Sequence, residues 1–101
     1  CPLPAVSLSE VLATSDVPGG VINVLTGRTE EIAPWLASHM DVNAIDLSGA
    51  AGPLADDLAA AAAENLKRVV KPGDEDWTLA PGLDRMLTYL ETKTVWHPAS
   101  N

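Results

Sequence analysis

The sequence predicts an α/β fold in which a small parallel sheet carries flanking helices, followed by a C-terminal helix and an extended tail. Three short, apolar, β-branched segments alternate with helical segments of roughly ten residues, an alternation typical of βαβ units. Each short segment is largely apolar, as expected for strands buried on both faces. Three strands are few for such a sheet, so we expect neighbouring strands that these 101 residues do not contain.

The first half of the sequence predicts two helices and two strands. Residues 4–13 predict a helix, because Pro4 occupies a first-turn position where proline costs no hydrogen bond. A Pro-Gly-Gly turn then leads to residues 21–26, Val-Ile-Asn-Val-Leu-Thr, whose composition predicts a strand. A second helix is expected over residues 30–39 and a second strand over residues 42–47. The inward face of this second helix is expected to consist of Ile32, Trp35 and Leu36.

The second half begins with a third helix and a third strand. Pro53 opens a helix over residues 53–66. Its apolar inner face repeats every four residues, at Leu54, Leu58, Ala62 and Leu66. Two valines at residues 69–70 predict the third strand, which Pro72 ends because proline cannot donate to a ladder.

The character of the sequence changes after Pro72, which divides the chain into two predicted parts. Residues 1–72 contain the alternation of helices and strands. Residues 73–101 begin with an acidic loop, and Pro81 then starts a last helix. The end, residues 93–98, is predicted to be extended, where it either pairs as an edge strand or lies on another chain.

Charge and cysteine content disfavour several classes of function. The net charge is -8 with only six Lys and Arg, which disfavours nucleic acids and anionic membranes as partners. No apolar run approaches the roughly 20 residues needed to span a bilayer. The one cysteine, Cys1, cannot form an internal disulfide, and a reducing cytoplasmic location is expected. The Cys-Pro-Leu-Pro start has neither an initiator Met nor a signal-peptide pattern, which indicates a fragment.

Four stretches carry a family pattern in a single register. They are Asp-Val-Pro-Gly-Gly-Val-Ile-Asn-Val-Leu-Thr-Gly at residues 16–27, Ser-His-Met-Asp-Val at 38–42, Ala-Ile-Asp-Leu-Ser-Gly at 44–49 and Asn-Leu-Lys-Arg-Val at 65–69. In order, they resemble Pro-x-Gly-Val-Val-Asn-Val-Val-x-Gly, Ser-His-x-x-Val, Val-x-Phe-Thr-Gly-Ser and Asn-Leu-Lys-Arg-Val of the aldehyde dehydrogenase superfamily. The resemblance covers about residues 2–71 and implies part of a Rossmann-like NAD(P)-binding domain.

The resemblance implies NAD or NADP as the cofactor, bound at Gly27, Ser48 and Gly49 where adjacent parallel strands end. The alternative is that these residues only form tight strand-to-helix turns. Three departures favour the alternative, and one of them is Pro53, which removes a contact. Thr29 stands where the family has a second glycine, and Ala50 stands where it has a serine that contacts the pyrophosphate. We therefore expect weak NAD(P) affinity or none.

The resemblance also indicates that the groups for oxidising an aldehyde are incomplete. The family's general-base Glu falls on Pro72, and its catalytic Cys lies further on, where this chain has no cysteine. Cys1 precedes the first helix, at a position that the family does not use. Aldehyde oxidation requires a thiolate, a base that activates water and an oxyanion stabiliser. We therefore expect no catalytic residue here, and no activity from this chain alone.

The remaining chemically suggestive residues are most simply structural. His39 is expected near the end of a helix, where a cation complements the helix dipole. His97 has no second ligand at metal spacing, so no metal site is predicted. The acidic loop at residues 74–76 is expected to be solvated. Three aromatic residues either form a docking surface for another subunit or pack over the sheet: Trp77, Tyr89 and Trp96.

Two functions stay open at this stage. The chain is either part of an NAD(P)-dependent, aldehyde-dehydrogenase-like oxidoreductase with a degenerate active site, or a non-catalytic subunit whose fold serves association. The expected partner is a second copy of the chain or a longer dehydrogenase-like chain, and neither a nucleic acid nor a membrane. The replacement of the general base by Pro72, and that of the catalytic region by the tail at residues 74–101, favour the second function for this chain.

Overall fold

A computed structural model describes residues 2–80 and 82–99 and shows an α/β fold. Its elements, in chain order, are α1 (Leu3–Thr14), α2 (Thr29–Ser38), β1 (Ala44–Asp46), α3 (Pro53–Ala63), β2 (Arg68–Val70) and α4 (Leu83–Leu87). β1 and β2 form a two-stranded parallel sheet in which Ile45 lies opposite Val69. The predicted α/β class with a partial parallel sheet is therefore confirmed.

The core is a layer of small side chains between α2, α3 and the sheet. The helices contribute Ala37 and Leu58, which are almost completely buried, and β1 is followed by the equally buried Leu47. Because alanine side chains are short, α2 and α3 approach each other closely. The core therefore excludes large residues of α2. Ile32 is half-buried as expected, but the prediction that Trp35 and Leu36 face inward is wrong, since both are exposed.

The strand predicted over residues 21–26 is also wrong. This segment has no regular secondary structure, and its apolar side chains, including Val21 and Leu25, are exposed. A strand is held by hydrogen bonds to a neighbouring strand. In the described part of the chain, β1 pairs only with β2, so residues 21–26 have no ladder to join.

The two ends of the chain lie outside this core. α1 has no buried residue and faces the segment that follows it, with which it lines a cleft of about 320 Å³. At the other end, α4 is only five residues long and also buries none of them. Residues 93–98 adopt no regular structure and pair with no strand of the described chain, so the edge-strand alternative is wrong. Pro81, the predicted start of the last helix, lies outside the described residues.

Hydrogen bonds from the Asn-Leu-Lys-Arg-Val stretch at residues 65–69 join the C-terminal ends of α2 and α3. The Lys67 ammonium group donates hydrogen bonds to the carbonyl oxygen of His39 and to the side-chain oxygen of Asn65, both at 2.6 Å. Asn65 donates a further bond to the same His39 carbonyl, at 3.3 Å. Lys67 is buried, and these acceptors satisfy its charge. A single cation thus neutralises the negative end of α2 and ties it to the residues after α3.

Leu66 occupies the left-handed position of the turn that ends α3. The Lys67 amide donates to the Ala62 carbonyl at 3.1 Å, and the Leu66 amide donates to the Ala63 carbonyl at 3.2 Å. These bonds form a Schellman motif, whose left-handed residue is usually glycine. Here the φ angle of Leu66 is 59°, and its side chain is 91% exposed. The prediction that Leu66 lies on the inner face of the helix is therefore wrong, because the left-handed turn directs it outward.

Replacing Leu66 by glycine is expected to stabilise the chain. Left-handed backbone costs an ordinary residue roughly 1–2 kcal/mol, and the greater freedom of glycine in the unfolded state offsets about half of that. The expected net gain is about 0.5–1 kcal/mol in the free energy of unfolding, measured by urea denaturation. Leu66→Ala is the control, because it removes the exposed side chain but keeps Cβ. Equal stability of the two variants would contradict the proposed strain.

Candidate functional site

The carboxyl end of β1 forms a tight turn that leads towards α3. The Leu47 amide continues the sheet by donating to the Val70 carbonyl at 2.9 Å. The Ser48 amide donates to Asp46 Oδ1 at 2.8 Å, and the Ala50 amide donates to the Leu47 carbonyl at 2.9 Å. The Asp46 carboxylate therefore stabilises the turn by accepting a hydrogen bond two residues ahead of it. Ligands of parallel α/β sheets bind at this end of the strands.

Two of the three predicted cofactor residues lie at this turn. Ser48 and Gly49 follow β1 after Leu47, and Gly49 lines a cleft of about 200 Å³ between α2, β1 and α3. Thr29, the first residue of α2, lines the same cleft, as does Ala50. The third predicted residue, Gly27, does not line it. A Cβ at Gly27 would lie 2.5 Å from Ile32 Cδ1, the end of the Ile32 side chain, so Gly27 packs closely against α2.

The cleft offers few features that attract a phosphate group. The first turn of α2 carries Glu30 and Glu31, whose negative charges already complement the positive end of the helix dipole. The one cation beside them, Arg28, lies 3.5 Å from Glu31 and 4.0 Å from Glu30. Asp46 adds a carboxylate to the lining of the cleft itself. At the first turn of α2, carboxylates therefore outnumber cations, which disfavours an anionic ligand there.

A cluster of polar and aromatic side chains, which we call the Arg85 cluster, joins the C-terminal part of the chain to β1. It consists of Asp46, Glu75, Trp77, Arg85 and Tyr89. Arg85 Nη2 lies 2.7 Å from Asp46 Oδ2, and its Nη1 donates to Glu75. The Tyr89 hydroxyl donates to the same Asp46 oxygen at 2.7 Å, and the guanidinium lies 4.6 Å from the centre of the Trp77 ring. One carboxylate at the end of β1 thus receives two groups from the C-terminal segment.

The cluster changes the titration of its members. Partial burial raises the pKa of Asp46, but hydrogen bonds from Ser48 and Tyr89 and the charge of Arg85 outweigh it and lower the pKa to about 2. The hydrogen bond to Asp46 in turn raises the pKa of Tyr89, because the phenolic proton is held by a carboxylate. Asp46 is therefore fully ionised at neutral pH and is poorly suited to act as a base.

The acidic loop has a structural role in addition to solvation. Asp76 accepts hydrogen bonds from the Thr78 amide at 2.9 Å and from the Thr78 hydroxyl at 2.6 Å, and these bonds lower the pKa of Asp76. Glu75 belongs to the Arg85 cluster. Trp77 and Tyr89 also belong to the Arg85 cluster, whereas Trp96 is 89% exposed. The loop and the following helix therefore form a segment that docks on the turn after β1.

Neither histidine of the chain belongs to a metal-binding group. Among residues 2–80 and 82–99, no group of three or more His, Cys, Asp or Glu side chains is arranged to bind a metal ion. The His39 imidazole accepts a hydrogen bond from the Asp41 amide at 3.2 Å, which gives it a local structural role at the end of α2. Within the same described residues, no helix has the length and apolar character required to cross a bilayer.

The register of the first 72 residues agrees with one known family. The family model described as aldehyde dehydrogenase family matches residues 1–72, which is more than half of the chain. This chain belongs to the aldehyde dehydrogenase family. No solved structure matches it.

The boundary of the family match runs through the Arg85 cluster. Asp46 lies inside the part that matches the aldehyde dehydrogenase family, whereas Glu75, Trp77, Arg85 and Tyr89 lie beyond residue 72. Sequence reasoning missed the cluster, because 39 positions separate Asp46 from Arg85. The available signal was the spacing of Arg85 and Tyr89, which places both on one face of a helical turn. α4 lies in the part of the chain that the family model does not match. The polar face of such a helix indicates a docking contact as readily as a solvated surface.

Acidification is expected to weaken the contact between the C-terminal segment and β1. Because the folded-state pKa of Asp46 is lowered from 3.8 to about 2, its carboxylate stabilises the fold fully above pH 3.8. This contribution is lost as the pH falls from 3.8 to about 2. NMR titration of the Asp46 carboxyl carbon should give a midpoint of about 2.

The stability measurement has a matched control. Urea denaturation between pH 5 and pH 2 should show a smaller loss of stability for Asp46→Asn than for the native chain, because the variant lacks this carboxylate. Asp57→Asn makes the same substitution on the exposed surface of α3 and should follow the native chain. An Asp46 midpoint near 3.8 would show that the Arg85 cluster does not form in solution.

Proposed function

We propose that this chain serves as part of the nucleotide-binding scaffold of an aldehyde-dehydrogenase-like oxidoreductase and does not itself oxidise aldehydes. The observation that carries the proposal is the occupation of the carboxyl end of β1. Arg85 and Tyr89 both contact Asp46 where a dinucleotide would approach the sheet. The chain's own side chains thus take up the polar groups that cofactor binding would use.

The residues present fit NAD(P) poorly. The cleft beside Ser48 and Gly49 has a volume of about 200 Å³, whereas ligand pockets commonly measure about 300–1,000 Å³. Ala50, which replaces the family's serine by our register, is buried and has no hydroxyl group to donate. The Ser48 amide already donates to Asp46. We therefore assign no chemical step to a bound cofactor in this chain.

The residue that follows β2 supports the same conclusion. By the register of the family resemblance, Pro72 stands in place of the general-base glutamate, two residues beyond the last residue of β2. A pyrrolidine ring cannot accept a proton from water. Cys1 lies outside the described residues, and the chain contains no other thiol that could attack an aldehyde. By this register, residues 1–101 contain neither the general-base glutamate nor a cysteine after Pro72.

An assay of aldehyde oxidation tests this proposal. The chain, supplied with NAD or NADP and a panel of aliphatic and aromatic aldehydes, is expected to form no NADH or NADPH above the rate without protein. Absorbance of the reduced cofactor measures the rate. Cys1→Ala is the control, because turnover that depends on the only thiol would disappear in this variant. Thiol-dependent turnover by the native chain would contradict the proposal.

A second function, association with another subunit, is supported by the surface of the chain. Its accessible surface is 8595 Å², whereas a folded monomer of this mass exposes about 5,500 Å². Its radius of gyration is 17.1 Å, against about 13 Å for a compact domain of this length. The excess surface is partly apolar. It includes the exposed side chains Leu8, Val11, Ile22, Trp35 and Trp96. Such surfaces favour protein contacts, and a second copy or a longer dehydrogenase-like chain is the proposed partner.

Sedimentation tests the association. The native chain is expected to sediment as a dimer or larger species in analytical ultracentrifugation at micromolar concentration. Leu8→Glu and Val11→Glu, on the exposed face of α1, should shift the equilibrium towards the monomer, because they introduce charge into an apolar contact. Ser7→Glu is the control, since it adds the same charge at a polar, exposed position of α1. A monomeric native chain would contradict self-association.

A further inference from the structure

We infer that residues 75–80 and 82–89 form an intramolecular cap that competes with a dinucleotide for the carboxyl end of β1. The inference rests on the proposed function and deepens it, because it adds a contact within the chain to the features that disfavour the cofactor. The cap consists of residues 75–80, α4 and the turn that follows α4 at residues 88–89. Its contact surface on the body of the chain is the Asp46–Ser48 turn, which precedes the glycine that lines the cleft.

Arg85 makes the contacts that hold the cap. Its side chain is 25% exposed, and its two terminal nitrogens reach different partners. Nη2 contacts Asp46 at 2.7 Å and lies 3.4 Å from the Ser48 hydroxyl, while Nη1 donates to Glu75 within the cap. The Trp77 ring covers the guanidinium at 4.6 Å. The planar guanidinium thus joins the turn after β1 to the loop that precedes α4.

The cap occupies the turn that a ligand at this end of the sheet would contact. The Ser48 amide donates to Asp46 within the turn itself, so its bond does not depend on the cap. Arg85 Nη2 of the cap lies 3.4 Å from the Ser48 hydroxyl, and the Tyr89 hydroxyl lies 2.7 Å from Asp46. A ligand that contacts Asp46 or the Ser48 hydroxyl can therefore approach only after the cap has moved away.

Loss of the Arg85 side chain alone is expected to release the cap. α4 buries no residue, so apolar packing does little to hold it on the sheet. The partner carboxylates are partly accessible, with the Asp46 side chain 33% exposed and that of Glu75 43% exposed. Ion pairs with this degree of exposure contribute little to stability and open readily. The contacts of the Arg85 cluster thus keep the carboxyl end of β1 closed, and their loss opens it.

The experiment compares Arg85→Ala with Lys93→Ala in the full chain. Both substitutions remove one positive charge, but Lys93 lies in the exposed tail, outside the cap. The first readout is the position of the backbone amide signals of residues 46–49 in NMR spectra. Arg85→Ala should shift these signals although it lies 39 positions from Asp46, and Lys93→Ala should leave them unchanged. Unchanged signals in Arg85→Ala would overturn the cap.

The second readout is the binding of NADH, followed by its fluorescence. Arg85→Ala is expected to bind at least about tenfold more tightly than the native chain, and Lys93→Ala within about twofold of it, because a closed cap reduces apparent affinity by the fraction that is open. Tyr89→Phe, which removes one hydrogen bond to Asp46, should change affinity in the same direction by a smaller factor. Amide shifts without tighter binding would overturn the competition. Weaker binding by Arg85→Ala would do so too, since it would mean that Arg85 holds the phosphates.

These outcomes are independent of the proposed lack of aldehyde oxidation. Oxidation of an aldehyde by the native chain would overturn the proposed function, while the amide signals would still report whether the cap forms. Conversely, a chain without a cap and without turnover would keep the proposed function and remove this explanation for it. Each result therefore identifies which of the two statements fails.

Discussion

The parallel pairing of β1 with β2 is the constraint on which the rest of the structure depends. Parallel neighbours require a crossover connection, and α3 provides it. Because both strands run in the same direction, their carboxyl ends lie at one edge of the sheet. The turn after β1, the start of α3 and the cleft between them are placed at that edge as a consequence. The Ala-rich faces of α2 and α3 then cover the sheet and complete the core.

The sequence predicts the elements whose formation depends on local pattern. The helices α1, α2 and α3 and the strands β1 and β2 follow from apolar spacing, proline positions and β-branched composition. Residues 21–26 have the composition of a strand, but no neighbouring strand of the described chain pairs with them. In the doubly wound strand order 3-2-1-4-5-6, consecutive strands 3 and 4 are separated by two others. If β1 and β2 correspond to strands 4 and 5, residues 21–26 would belong three places away from β1, with two strands between them.

The site was less predictable than the fold, because its contacts join distant positions. Ser48 and Gly49 could be placed after a strand, but no local pattern shows that Arg85 and Tyr89 reach Asp46. Gly27 shows what a motif glycine leaves undecided. A Cβ there would approach the end of the Ile32 side chain at 2.5 Å, so close packing is a second reason for glycine beside a cofactor contact. The absence of Cβ has two possible causes, and only the surrounding atoms distinguish them.

The Lys67 ammonium group couples the unfolding of the two core helices, α2 and α3. It binds the end of α2 through His39 and belongs to the chain that leaves α3. Neither helix can unravel from its C-terminal end without exposing this buried cation or removing its acceptors. α2 and α3 therefore open as one cooperative unit, in the manner of a foldon. α1 has no comparable tie, since it buries none of its residues. The molecule thus combines a cooperative centre with a first helix that can melt and reform without disturbing it.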